Sequence, residues 1–257
     1  MPLAAPGLHR LLNAAVRVVG RGAPNTRGTQ NHDTRHAWTV RTLRSLPAGG
    51  RILDVGAGEQ PYRDDCKHLE YFAQDFAQYD GRGDSSGLQP GSFAYGDLDY
   101  VGDADHIDAP DASFDAILCT EVLEHVPDAA AVLREFARLI RPGGHLIMTA
   151  PFCSLTHFAP YHFATGFSRY FYQHHLSLLN FELLEVAENG SYFEYLAQEL
   201  RRLPSIAERY AGRAPDPAEQ QAIWKVLNAI DAFAAGDQGS RELLCYGYLV
   251  HARKQQD

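Results

Sequence analysis

The feature that most restricts the fold is the run Arg51-Ile52-Leu53-Asp54-Val55-Gly56-Ala57-Gly58. Ile52 to Val55 is apolar except for an acid at its third place, and it meets a Gly-x-Gly turn. So short and apolar a stretch reads as a parallel strand covered on both faces. Glycine at 56 and 58 lets the backbone pass close to a neighbour, because it lacks a Cβ and adopts positive φ freely. A strand ending in such a turn is where a doubly wound α/β sheet meets its ligand. Gln60-Pro61 stand where a dinucleotide fingerprint needs its third glycine, which disfavours a nicotinamide-dependent oxidoreductase.

The segments that follow keep this rhythm. Tyr71-Phe72-Ala73-Gln74-Asp75 reads as a second strand whose terminal acid can accept two hydrogen bonds from a ribose diol. A loop rich in Gly, Asp and Ser spans 80–96, and a short strand is expected near Asp99 to Val101. Gly102-Asp103-Ala104-Asp105 forms a third acid-bearing turn, and Ser113-Phe114-Asp115-Ala116-Ile117-Leu118-Cys119 leads into a fourth strand. Next comes Thr120-Glu121-Val122-Leu123-Glu124-His125-Val126. Asp128 is expected to cap a helix with Val132, Leu133, Phe136, Leu139 and Ile140 on one face, and Arg141 to complement its dipole. Pro142-Gly143-Gly144 should stop it, with His145 to Ala150 as strand five. Phe181 to Ala187, helices over 192–203 and 217–235, and a last strand over 243–252 complete the reading.

In this order the motifs resemble the class I S-adenosylmethionine-dependent methyltransferases, in their small-molecule, type 11-like branch. The resemblance runs from Arg51 to Pro151 and more loosely to Ala187. It implies an α/β fold: a Rossmann-like, doubly wound, seven-stranded, mostly parallel sheet with the last strand antiparallel. N-terminal helices (1–48, a lid) precede the cofactor-binding domain (49–257), and a helical insertion (about 191–236) precedes the final strand. It implies S-adenosyl-L-methionine as cofactor, with Asp54, Gly56, Ala57 and Gly58 along its methionine and ribose. Asp75 would hold the ribose hydroxyls, Phe76 the adenine face, Asp103 and Ala104 the adenine amino group, and Cys119 and Thr120 would lie by the sulfonium. The 80–96 loop would be a surface excursion near the adenine. Arg35 or His36, on a helix starting near Asp33, could pair with the methionine carboxylate.

Composition sets outer bounds. The 257 residues, 45% of them hydrophobic, can bury a sizeable core. A net charge of -9 disfavours broad attraction to nucleic acid or anionic membrane. Cys66, Cys119, Cys153 and Cys245 have no metal-type spacing and fit a cytoplasmic protein with reduced thiols. No apolar run has the length of a membrane span. Residues 1–32 contain no acid, and Leu8, Leu11, Leu12, Ala15, Val16 and Val19 recur at helical spacing. A lid, a membrane-surface helix and a targeting peptide all remain open for that stretch. The inserted helices are a candidate homodimer surface.

For chemistry, the loop Pro151 to Phe163 leaves a strand's carboxyl end with His157, Tyr161 and His162 among aromatic residues. If the acceptor is a hydroxyl, its proton needs a base of near-neutral pKa, and His157 or His162 is the expected catalytic base. The main reading is O-methylation of a hydroxylated metabolite or sugar, with no metal. N-methylation stays open, as does a catalytically inactive cofactor-binding partner subunit. A further alternative is a metal-assisted enzyme: Glu121, Glu124, His125 and His162 resemble the metal site of the small-RNA 2′-O-methyltransferases.

Overall fold

A computed structural model of the chain describes residues 25–256. The apolar stripe between Leu8 and Val19 therefore lies outside the described residues. The chain divides into two compact units. One comprises 33–189 with the residues from 247 on; the other comprises 190–246 with the described residues up to His32.

The first unit is built on a seven-stranded sheet in the order β3-β2-β1-β4-β5-β7-β6. Its strands are β1 (Arg51–Val55), β2 (Glu70–Asp75), β3 (Tyr100–Val101), β4 (Phe114–Thr120), β5 (Ile140–Pro151), β6 (Phe181–Asn189) and β7 (Gly247–Lys254). From β1 to β5 neighbours run parallel, while β7 is antiparallel to both β5 and β6. This is the Rossmann-like, mostly parallel sheet implied by the motifs, and the expected antiparallel pairing of the last two strands is present. β1 lies centrally, with Ile52, Leu53 and Val55 fully buried. The chain winds outward from β1 through β2 to β3 and then resumes at β4 on the other side. The crevice at the carboxyl ends of β1 and β4 is thus the switch point where such sheets bind ligands.

Helix α1 (Asn31–Arg44) packs Trp38 and Leu43 into the core with Leu46, Ile52, Leu118 and Ile147. It starts two residues before Asp33, which therefore lies in its first turn. A single 3-10 turn, Arg63–Cys66, follows β1. Helix α2 (Ala129–Leu139) begins as expected, with Asp128 accepting from the Ala131 amide at 2.9 Å.

Its end differs from the expectation. The helix stops at Leu139, and Ile140 is already extended in β5. Arg141-Pro142-Gly143-Gly144 is an irregularity within that strand: Phe114 faces Ile140, but Ala116 faces His145. Proline cannot donate to a ladder and Gly143 takes φ +81, so the extra residues bulge out. Arg141 pairs with Asp115 at 2.7 Å rather than with the helix end. That end is served by Lys254, whose Nζ donates to the Ala137 and Ile140 carbonyls at 2.7 and 2.9 Å. Helix α3 (Arg169–Leu178) precedes β6. The last strand starts at Gly247 rather than Leu243, whose side chain is exposed beside a 3-10 turn.

The second unit pairs α4 (Tyr192–Ala211) with α5 (Pro217–Ala234). Helix α4 continues through Pro204 where the sequence suggested a stop, and ends at Gly212 in the left-handed conformation. Asp216 and Glu219 form a capping box on α5. Ala197, Ile223, Leu227 and Ile230 are buried between the helices, and Arg27 ties them by bonding Glu194 at 2.6 Å and Asp231 at 2.9 Å.

Candidate active site

The turn after β1 is held from the side by the end of β2. The Gly58 amide donates to Asp75 Oδ2 at 3.0 Å, the Gly56 amide to Gln74 Oε1 at 3.4 Å, and the Ala57 amide to the Gln74 carbonyl at 3.0 Å. Gln74 Nε2 also donates to the Gly102 carbonyl, and the Gly102 amide to the Asp75 carbonyl at 3.1 Å. One strand end therefore ties the glycine turn to the Gly102-Asp103 turn. Gly56 has φ +68, and a Cβ there would come within 2.3 Å of Val122 Cγ2. Its missing side chain lets the loops after β1 and β4 touch.

The two acids at this end are buried. Asp54 accepts a hydrogen bond from the Tyr71 hydroxyl at 2.6 Å. Burial pushes its carboxyl up to about 7; the Tyr71 bond opposes this and the Asp75 charge adds to it. Burial also raises Asp75, against the pull of amide bonds from Ala77, Gly58 and Phe76. Among the described residues, no lysine or arginine charge is among the groups that shift either carboxyl.

At the end of β4, Cys119 lies opposite Val55, fully buried, and burial holds its thiol well above the ordinary range. Thr120 faces Thr149 on β5. Glu121 then takes φ +55, an uncommon conformation for a side-chain-bearing residue. It is held there by Arg35 Nη1 at 2.8 Å on Oε2 and by the Thr149 hydroxyl at 2.9 Å on Oε1. His36 stacks on Tyr62, ring centroids 5.4 Å apart. A 3-10 turn, Leu123–His125, follows and buries the Glu124 side chain completely. Neither Glu124 oxygen has a hydrogen-bond partner in another residue. Burial, then the Glu121 charge, hold that carboxyl well above the usual range.

The loop after β5 is stitched to this turn, with the Phe163 and Ala164 amides donating to the Glu124 carbonyl at 2.9 and 3.2 Å. Three imidazoles gather here. The rings of His125 and His157 are 4.7 Å apart, those of His157 and His162 are 4.9 Å apart, and those of His125 and His162 are 6.0 Å apart. His125 is lowered to about 3, by burial first and then by His157; the same two causes lower His162.

The 80–96 passage is largely exposed, and its middle packs on this loop. The Leu88 amide bonds the Thr156 carbonyl at 2.9 Å and the Phe158 amide bonds the Leu88 carbonyl at 3.2 Å. Tyr79 stacks on Phe158 with centroids 4.5 Å apart, and Phe93 meets both rings edge-on. The apolar rings within a polar stretch supply the reason: they find cover against Phe158 and Tyr161.

Comparison with known proteins bears on this geometry directly. A family model described as "Methyltransferase domain" matches residues 31–205, which includes all of β1 to β6 and the loops just described. The chain belongs to the class I S-adenosylmethionine-dependent methyltransferases. A ubiquinone biosynthesis O-methyltransferase of Xanthomonas axonopodis pv. citri is 37% identical over 117 residues, 42% of this chain and 46% of that protein. A demethylmenaquinone methyltransferase of Renibacterium salmoninarum is 32% identical over 170 residues, 64% of each. This chain thus spans less than two thirds of the length of these curated relatives. A Haemonchus contortus phosphoethanolamine N-methyltransferase 2, solved in complex with S-adenosyl-L-methionine, superposes with a TM-score of 0.50 at 16% identity, over 88% of this chain and 53% of that one. At that identity it shares the fold.

Within this methyltransferase domain the expected residues fall into two groups. Asp54, Gly56, Ala57, Gly58 and Asp75 meet at one strand end, and the turn bearing exposed Asp103 and buried Ala104 is tied to it through Gln74. His157 and His162 meet Glu124 and His125 in the second group. Phe76 stands edge-on to Tyr161, centroids 4.9 Å apart, and so links the two. Arg35 is engaged by Glu121, while His174 and His175 lie away on α3. The sequence reading missed Tyr71, Gln74 and the Tyr79-Phe93 pair. Gln74 carried a signal, being a polar residue in the buried end of a strand; the pairing of Tyr79 with Phe158 carried none.

Proposed function

We propose that this chain methylates a hydroxyl oxygen of a small-molecule acceptor, using S-adenosyl-L-methionine. The observation that carries the reading is the pair of adjoining groups at the carboxyl end of the sheet: buried acids around the glycine turn, and imidazoles on the loop after β5. When bound, the cofactor supplies an electrophilic methyl group on a sulfonium. Two buried acids, with no lysine or arginine among the described residues that shift them, suit a cationic nucleoside. Asp75 accepts from the Gly58 and Ala77 amides at 3.0 and 3.1 Å and from the Phe76 amide. A carboxylate offers about four acceptor sites, which leaves room for a ribose hydroxyl. Asp54, Gly56, Ala57 and Gly58 line the methionine and ribose, Phe76 and the Asp103-Ala104 turn the adenine, and Cys119 and Thr120 the reacting sulfur.

On the acceptor side, His157 and His162 hold the substrate hydroxyl and accept its proton as the oxygen attacks, while Phe158 and Tyr161 exclude water. The relatives named for ubiquinone-pathway O-methylation and for demethylmenaquinone methylation support a small acceptor. A cytoplasmic setting fits the four free cysteines.

Calorimetric titration with S-adenosylhomocysteine tests the first half: saturable binding is expected, and folded protein that binds none would end the reading. For the second half, a His157→Ala/His162→Ala double variant should lose about 10²- to 10⁴-fold in methyl transfer to a hydroxylated acceptor. An unchanged rate would remove base-assisted O-methylation.

A further inference from the structure

Glu124 poses a problem that methyl transfer alone does not answer. Among the described residues its side chain is buried, its two oxygens have no hydrogen-bond partner in another residue, and two imidazole nitrogens lie within 4 Å of it. His125 Nε2 lies 3.7 Å and His157 Nε2 3.8 Å from Glu124 Oε1, too far for hydrogen bonds. Both rings use the opposite nitrogen on a backbone carbonyl: His125 Nδ1 on Tyr161 and His157 Nδ1 on Leu155 at 2.8 Å. A carbonyl only accepts, so each Nδ1 carries a proton, and in the neutral ring the Nε2 is the atom able to ligate. Three atoms able to ligate, one from each of Glu124, His125 and His157, thus lie within 4.8 Å of one another. Such a cluster calls for a cation, and a carbonyl behind each imidazole is how metal-binding histidines are oriented.

We propose that Glu124, His125 and His157 hold a divalent metal ion. Ligands about 2.1 Å from a tetrahedral ion stand about 3.4 Å apart, so the imidazole–carboxylate spans of 3.7 and 3.8 Å close by a few tenths of an ångström. The widest span, within 4.8 Å, closes by up to about 1.4 Å as the loop imidazole moves in. Two imidazoles and one carboxylate suit zinc and similar transition ions and leave a fourth position open. Glu121 is not a ligand, because Arg35 and Thr149 occupy its oxygens. This departs from the ligand set that the Glu121-Glu124-His125-His162 spacing suggests. The role of the ion rests on the O-methylation reading: an acceptor hydroxyl at the open position becomes more acidic, and its proton passes to His162, whose buried Nδ1 has no partner. An acceptor with two neighbouring hydroxyls, as in a catechol, suits such a site best. His157 is then a ligand and His162 the base.

The test uses the full chain, stripped of metal by chelator and titrated calorimetrically with Zn²⁺. One equivalent should bind, and Glu124→Gln and His157→Ala should each weaken binding by at least about tenfold. His145→Ala, which alters the separate His145–His251 pair (3.0 Å), should leave binding unchanged. With Co²⁺ in place of Zn²⁺, the wild type should show visible absorption bands that shift on adding catechol. Folded wild type that takes up no zinc, variants at 124 and 157 that bind as tightly as wild type, or loss with His145→Ala alone would each overturn the site. A spectrum indifferent to catechol would overturn the hydroxyl-orienting role. S-adenosylhomocysteine titration of the same samples separates the two readings: its binding should survive in Glu124→Gln and His157→Ala, and wild type that takes up zinc but binds no S-adenosylhomocysteine would count against the O-methylation reading and not against the metal. Should Glu124→Gln not fold, His157→Ala on the loop decides alone.

Discussion

Asp54→Asn isolates the energetic character of the carboxyl end of the sheet. The Asp54 carboxyl is buried, with a pKa raised from 3.8 to about 7. The folded protein therefore keeps a proton that the unfolded chain has already lost between those values. Stability consequently falls as pH rises from about 4 to about 7 and levels off above, a shift worth about 4 kcal/mol in full. About 3 kcal/mol of it lies between pH 5 and pH 9. Asparagine has no proton to lose, and its carbonyl oxygen can still accept from Tyr71. The stability difference, Asn variant minus wild type, should therefore grow in the variant's favour by about 3 kcal/mol from pH 5 to pH 9. Any pH-independent cost of the amide cancels in that comparison. Urea unfolding reads it, followed by the fluorescence of Trp38 in the sheet unit with Trp224→Phe as background. A difference that stays constant within about 0.5 kcal/mol would refute a buried, cation-free carboxyl at this position.

Two further substitutions probe neighbouring contacts. Gly56→Ala forces a Cβ against Val122 at a φ of +68, and should weaken S-adenosylhomocysteine binding by tenfold or more and lower the melting temperature; an unchanged titration would deny the close approach of the two loops. Lys254→Met leaves the Ala137 and Ile140 carbonyls without their donor and should cost about 1–2 kcal/mol in urea unfolding, whereas no loss would mean water replaces the ammonium freely.

Much of this arrangement was legible from local pattern. The run Ile52 to Val55 could only be a doubly covered strand, and Gly56 and Gly58 marked the place where another chain segment comes close. The alternation that follows demanded a parallel sheet wound about a switch point. Asp75 was marked by standing at the end of a strand, where its side chain reaches the preceding turn. Other readings failed for a local reason. Pro142-Gly143-Gly144 looked like a helix stop because it breaks helices, yet it equally makes a bulge in a long strand. Only the pairing of Ala116 with His145 distinguishes the two.

The amino-acid sequence by itself thus determined the sheet, its winding and the acids at its carboxyl ends, because those follow from hydrophobic period and turn chemistry within a few residues. Tertiary structure alone decided which partners meet from distant segments. It set Arg35 on Glu121, folded the 80–96 passage onto Phe158, and aimed two imidazoles at a buried Glu124. Those meetings depend on how loops leave adjacent strands, and a carboxylate's burial is a property of everything packed around it rather than of its neighbours in the chain.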